Sequence, residues 1–380
     1  AQMDPVGYID GDFKVCRGGD NTAHVYFRRS ANRLGELPEA KNPLVGFRVV
    51  LGELPDTPAL PRAEPPFNQQ NVSQQIPPDV IVGPDPNVPY FEGPREFVQI
   101  EPHSYGPVYS HHNHVPGIVE CPNGDVLAIW YSCICERGRE LAVAASRLRY
   151  GQREWEPASP FWDTPDRNDH CPCIWFDGVD TLYHFNGLSK GGGYSTNAII
   201  MRTSRDSGAN WSKARIIAPE YVRQLPGEPV FRTQDGSIVF GADGSGGTIV
   251  FISQDEGLTW HRSSGAAAGI HAAVAQLNDS KLLAFGRGSN IGGKSPKSIS
   301  ADMGETWTYG ASVFPSISGA QRHVLLRLKE GALFFASPGP DGIYGALSYD
   351  EGQTWPVQRL ITDVTDSNSD HGIGTIDKGR

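Results

Sequence analysis

The stretch SQDEGLTW, residues 253–260, decides the fold, because the chain spells it four times. SRDSGANW begins at Ser204, SADMGETW at Ser300 and SYDEGQTW at Ser348, so successive starts lie 49, 47 and 48 residues apart. Ser-x-Asp-x-Gly-x-x-Trp on so even a ruler marks a repeat architecture. The residues before the copies, such as AIIMRT, TIVFI and GIYGAL, read as strands. Asp and Gly then supply a turn. Ser and Asp oxygens accept from turn N–H groups, Gly takes a positive φ, and Trp folds back as an apolar plug. A degenerate copy, SRLRYGQREW from Ser146 to Trp155, keeps Ser, Gly and Trp and lacks the Asp.

Outward from the octets, short apolar runs (VLAIWY, SIVF, KLLAF, ALFF) alternate with Gly/Asp turns, and helical periodicity is scarce. Short strands at regular spacing predict an all-β repeat fold. Each unit reads inner strand, turn, second strand, third strand, octet, outer strand. The octet resembles the Asp box of sialidase-like β-propellers, the BNR repeat, over about residues 105–356. That resemblance implies a six-bladed propeller. Five blades are readable, and the sixth is expected either to be closed by residues 95–110 or to lie beyond the chain end, the latter being favoured. The resemblance also implies that the octets sit on the rim, away from the site.

The 380 residues divide into a segment 1–52, a linker 53–94 carrying 11 prolines, and the propeller region 95–380. Proline runs with Gln and Asn between them predict an extended linker. The first segment resembles the C-terminal end of formylglycine-generating-enzyme-like domains at Arg17-Gly18-Gly19, Arg28 to Arg33 and Gly46-Phe47-Arg48. Active members of that family carry a Cys pair after the Arg-Gly-Gly turn. Asp20 to Tyr26 contain no Cys, so the resemblance implies the remnant of an upstream domain without that chemistry.

The formal net charge of −10 argues against nucleic acid as a partner, and no run approaches a membrane span. No signal peptide is visible, and the compartment stays open; the expected substrate class favours a secreted, periplasmic or cell-surface setting. Six cysteines include Cys133-Ile-Cys135 and Cys171-Pro-Cys173, neither with the Cys-x-x-Cys spacing of zinc or redox motifs. HSYGPVYSHHNH, residues 103–114, is rich in histidine, but His-His-x-His is not a zinc spacing. No metal and no cofactor are expected. The oligomeric state is not legible.

Ligands of a propeller meet at the central axis, where inner strands begin. Counting back 8–10 residues from the inner hairpin turns gives His114, His170, Glu228, His271 and Arg322, one per blade. Tyr131, Asn186, Asp243 and Arg287 end the second strands at the same mouth, and Arg139, Arg167 and Asp169 lie on nearby loops. Polar groups converging on one axis describe a binding pocket, and arginine is the natural anchor for a carboxylate.

Three functions follow. In a sialidase-like hydrolase acting on a terminal anionic sugar of a glycan, Arg287 and Arg322 would hold the carboxylate. Asp169 or His170 would protonate the leaving oxygen, and Glu228 would polarise a nucleophile. The sialidase family opens with Phe-Arg-Ile-Pro, where this chain reads His114-Val115-Pro116, and its tyrosine nucleophile comes late in the fold. The alternative is a uronate-cleaving polysaccharide lyase with His114, His170 or His271 as base and Arg322 as neutraliser. The third is a non-catalytic glycan-binding propeller. Arbitration needs the site.

Overall fold

The structure is a computed structural model and describes residues 10–20, 25–49, 51–53, 56–61, 71–83, 110, 112–227, 229–317, 322–363 and 376–377. Among them are two short strands, β1 (Lys14–Arg17) and β2 (Arg33–Glu36), one short helix α1 (Pro78–Val82), and five four-stranded antiparallel blades. Blade 1 comprises β3 (His112–Glu120), β4 (Val126–Cys133), β5 (Ala142–Leu148) and β6 (Ser159–Trp162). Blade 2 comprises β7 (Asp169–Phe176), β8 (Leu182–Ser189), β9 (Asn197–Ser204) and β10 (Arg215–Val222). Blade 3 comprises β11 (Val230–Arg232), β12 (Ile238–Asp243), β13 (Thr248–Ser253) and β14 (His261–Arg262). Blade 4 comprises β15 (Ile270–Gln276), β16 (Leu282–Arg287), β17 (Lys294–Ser300) and β18 (Thr308–Pro315). Blade 5 comprises β19 (Val324–Arg327), β20 (Leu333–Gly339), β21 (Gly342–Ser348) and β22 (Val357–Thr362). Strands pair in chain order within every blade. A last two-residue strand, β23 (Ile376–Asp377), adds antiparallel to β3. No sixth blade is found among the described residues, and most of residues 95–110 lie outside them.

The strands of blades 2–4 are apolar on both faces because each of those sheets packs between two neighbours. Leu127 and Ile129 of blade 1 pack with Ile174 and Ile200 of blade 2. Phe185 of blade 2 meets Phe240 of blade 3 at 4.8 Å, and Phe314 of blade 4 stacks on Phe335 of blade 5 at 3.9 Å. Every full octet lies between the third and fourth strands of its blade. Its Trp fills the seam to the preceding blade: Trp211 on Phe161 at 5.3 Å, Trp260 on Phe185 at 5.6 Å, Trp355 on Phe285 at 6.1 Å. In the octet at Ser253, the Ser Oγ accepts from the Gly257 N–H at 2.8 Å and donates to Asp255. Asp255 in turn accepts from the Thr259 N–H at 2.8 Å. The turn places two successive residues at positive φ, Glu256 at 54° and Gly257 at 80°, which is why Gly recurs there.

The N-terminal residues do not stand apart from the blades. Phe13 packs on Trp162 at 5.3 Å, and the Gly35 N–H donates to the Pro165 carbonyl at 2.7 Å. Part of the proline-rich stretch also meets blade 1, where the carbonyls of Asn71 and Ser73 accept from Arg149 and Asn123 at 2.9 and 2.8 Å. No helix among the described residues is long and apolar enough to cross a membrane.

Candidate functional site

The inner strands of three blades break their ladders at the same place. Register slips between His114 and Gly117 in β3, between His170 and Cys173 in β7, and between Ile270 and Ala273 in β15. Inside each slip a non-glycine residue holds a positive φ: Val115 at 52°, Cys171 at 58° and His271 at 49°. The corresponding residue of blade 3 is Gly227, at 115°. Such bulges re-aim side chains, and the strain of a non-glycine residue there persists only where packing enforces it. The bulges thus recur at one level of the inner strands.

What the bulges aim inward forms one group. The His114 ring lies edge-on to Tyr131 at 5.6 Å, Tyr131 faces His170 at 4.9 Å, and His170 faces Tyr194 at 4.8 Å. The Tyr131 hydroxyl donates to Glu136 Oε1 at 2.7 Å, and His170 Nε2 lies 3.4 Å from the same oxygen. His170 Nδ1 is 2.8 Å from the Cys171 sulfur. Arg322 reaches from blade 5 to the Gly227 carbonyl before blade 3, at 2.7 Å, and lies 3.9 Å from the Cys171 sulfur of blade 2. In blade 4, His271 Nδ1 lies 3.2 Å from Asp243 Oδ2, while its backbone N–H donates to Asp243 Oδ1 at 2.6 Å.

Electrostatics follow from burial and these neighbours. Burial, then Arg322, pulls the His114 pKa down to about 3. Burial also lowers His170, outweighing the Glu136 carboxylate that would raise it. His271 is held well below its ordinary value by burial, then by Arg322 and Arg287. All three rings are therefore neutral near pH 7. A neutral His170 with its Nε2–H toward Glu136 has Nδ1 free to accept the Cys171 S–H. Glu136 is held at about 2, chiefly by the His170 hydrogen bond and then, against burial, by Tyr131, so it is ionised. Burial pushes Tyr131 up, so the phenol keeps its proton at rest.

Of the residues read from spacing, the structure brings His114, His170, His271 and Arg322 together, with Arg287 in electrostatic reach of His271. Glu228 lies outside the described residues. Three others, Arg167, Asp169 and Arg139, are placed differently from the expectation. Arg167 is 0% exposed and engaged with Glu36 and with the carbonyls of Gly35 and Ser189, so it cannot grip a substrate. Asp169 is 0% exposed and accepts from Trp162 Nε1 and from the Thr164 N–H and hydroxyl, which ties it to the blade 1–2 seam. Asp243, also 0% exposed, accepts from the His271 N–H and lies under the positive charges of Arg322, Arg223 and Arg287, so it stands with that group. Arg139 is buried, pairs with Asp166 at 3.2 Å and lies 4.0 Å from the Phe27 ring centroid. Glu136 escaped the reading. It sits in the charged loop CICERGRE, where nothing in the spacing separates it from Glu140. Among the described residues no three His, Cys, Asp or Glu side chains group as metal ligands.

Comparison with known proteins agrees with the architecture. The family model for the BNR repeat-like domain matches residues 124–337, more than half of the chain. No curated protein sequence matches. Among solved structures, the chain is similar to a protein of unknown function from Dyadobacter fermentans, with TM-score 0.55 and 15% identity over 68% of this chain and 86% of that one. It is also similar to the NanB sialidase of Streptococcus pneumoniae, with TM-score 0.54 and 13% identity over 72% of this chain and 64% of that one. For a Trypanosoma rangeli sialidase in complex with 2,3-difluorosialic acid, the values are 0.51, 15%, 70% and 51%. The chain thus spans less than two thirds of the length of either sialidase. Identities this low speak for a shared fold alone. The repeat family rests on the matched residues: this chain belongs to the BNR repeat-like domain family.

Proposed function

We propose that the axial mouth binds an acidic sugar of a glycan and cleaves its glycosidic bond, as a sialidase-type hydrolase. The observation that carries the reading is the Tyr131–Glu136 hydrogen bond of 2.7 Å, next to His170 and on the axis that Arg322 crosses. A phenol is a poor nucleophile until a base takes its proton. An ionised Glu136 at hydrogen-bond distance is that base. Arg322 and Arg287 supply the positive field for a sugar carboxylate. Tyr131 attacks the anomeric carbon as its proton passes to Glu136, the glycosidic bond breaks, and the leaving oxygen departs with a proton from solvent. Water then attacks the anomeric carbon, giving its proton to a neutral histidine, while the Tyr131–sugar bond breaks and the tyrosinate takes back the proton held by Glu136. Tyr131 arrives from blade 1, unlike the late tyrosine of the sialidase family, and Glu136 takes the part expected of Glu228.

A second reading has its own support. Three neutral histidines around one cation suit removal of a proton alpha to a carboxylate, the first step of a uronate lyase. One pair of assays separates the readings. Release of the fluorophore from a fluorogenic sialoside, lost in Tyr131→Phe and in Glu136→Gln, supports hydrolysis. New absorbance at roughly 235 nm from uronic-acid polysaccharides, with no sialoside turnover, replaces it by the lyase; the unsaturated product is the signature of elimination. Glycan binding without either product reduces the site to a lectin.

A further inference from the structure

Two buried arginines of the propeller, Arg167 and Arg202, draw counter-charge from outside it. Arg167 donates to the Glu36 carboxylate, which also accepts from Tyr221 at 3.0 Å and from Asn42 at 2.8 Å. Arg202, boxed by Phe161, Trp162 and Trp211 at 4.7, 4.6 and 5.3 Å, has Asp12 as its foremost favourable charge. Both acids belong to the N-terminal segment, which is therefore built into blades 1 and 2.

The path from this segment continues to the mouth. The residue after Arg167 is Asn168, fully buried, whose side-chain amide donates to the carbonyls of Glu136 at 2.9 Å and Gly138 at 2.7 Å. Those carbonyls lie in the loop 134–140 between β4 and β5, the loop that carries Glu136 to Tyr131 and His170. On its own side the loop is tied by Glu140, whose Oε1 accepts from the N–H groups of Ile134 and Cys135 at 3.2 and 3.0 Å. Its far end, Arg139, is pinned between Asp166 and the Phe27 ring. The loop is thus clamped by residues that Glu36, Gly35 and Phe27 hold in place.

We propose that the N-terminal segment is a working part of the axial site: Glu36, acting through Arg167 and Asn168, positions the 134–140 loop and with it the Glu136 carboxylate. Glu36 and Asn168 are positioning residues, and the inference rests on the reading of Glu136 as a site group. It gives the segment a role that its resemblance to another domain did not suggest. A carboxylate or amide that fixes a functional side chain from behind is as exacting as the side chain itself.

The test uses the full chain without substrate, so a failure of the glycosidase reading leaves it intact. Amide hydrogen exchange is measured in the parent and in Asn168→Asp, Glu36→Gln and Phe27→Ala. In parallel, the ring resonances of His170 are followed by NMR, with Glu136→Gln as reference and His323 in blade 5 as internal control. Asn168→Asp turns an oxygen toward two carbonyls without changing size. Exchange of amides 134–138 is expected to rise about tenfold or more in Asn168→Asp and Glu36→Gln. Exchange in blades 3–5 stays unchanged, and the His170 resonances move the way Glu136→Gln moves them. Should Glu36→Gln not fold, Asn168→Asp, which removes the two donations to the loop, and Phe27→Ala, which removes the ring against Arg139, carry the same comparison. Exchange at 134–138 within twofold of the parent, or uniform acceleration with His170 unmoved, would overturn the proposal and leave the segment a plain structural support.

Discussion

Arg167 and Glu36, 131 residues apart in sequence, meet in a buried ion pair that joins the N-terminal segment to the loop before β7. Removing one partner of such a pair leaves an uncompensated buried charge, typically costing about 3–5 kcal/mol. Glu36→Ala should lose stability on that scale in chemical denaturation. Glu36→Leu combined with Arg167→Met should lose less than Glu36→Ala, because neither charge is then stranded. A double variant as unstable as the single one would show that the pair's charges are not what matters.

The octets predict stability without chemistry. Ser253 is buried, and its Oγ satisfies the Gly257 N–H. Ser253→Ala should cost about 1–3 kcal/mol, the usual consequence of stranding a buried donor. Asp255→Ala should likewise lower Tm. Both should leave turnover at the axis unaltered. Loss of catalysis at an unchanged Tm in Asp255→Ala would refute the structural role of the octet.

A pH dependence follows from His323, whose nitrogens meet the hydroxyls of Ser295 and Ser337 at 3.0 and 3.1 Å. Burial, then Arg287, lowers its pKa to about 4. Between its unfolded value, roughly 6.5, and about 4, the unfolded chain binds the proton and the folded one does not. Stability contributed by this group is therefore complete above about 6.5 and falls as pH drops toward 4, by about 3 kcal/mol in total. His323→Asn should flatten the stability-versus-pH slope in that window by close to one proton. An unchanged slope would mean that the ring titrates normally in the fold.

How far the fold and site were legible depends on whether the signal was local. The octet is a self-contained turn, so its four copies expose the blades, and counting back from each inner turn picks out His114, His170, His271 and Arg322, which the fold brings together. Partners that meet only in space leave no such trace. Nothing near Arg167 in sequence announces Glu36, so the arginine within TPDRNDH reads as a loop anchor although it is buried. Asp169 is adjacent to His170, yet strand alternation turns it to the opposite face, into the seam with Trp162. Glu136 needs the bend of its loop to reach Tyr131, a contact set by Asn168 from another blade.

Arg322 is where stability and function meet. Spacing alone suggests a guanidinium facing solvent in the empty site, with no part in holding the fold. The structure instead shows it spanning from blade 5 to the Gly227 carbonyl at 2.7 Å and toward Cys171. Arg322→Ala removes that link, so Tm should fall. On the proposed function the same change also removes a charge-assisted anchor for the sugar carboxylate, worth about 2–4 kcal/mol, or roughly 30–1000-fold in kcat/KM. Arg322→Lys separates the two effects. An ammonium can still donate to one carbonyl and should recover part of the Tm. It lacks the planar fork that holds carbonyl and carboxylate together, so it should recover little turnover. Both quantities are measured on one preparation of each variant. Turnover of Arg322→Ala within threefold of the parent, whatever its Tm, would take the carboxylate anchor away from Arg322 and leave it a stitch between blades.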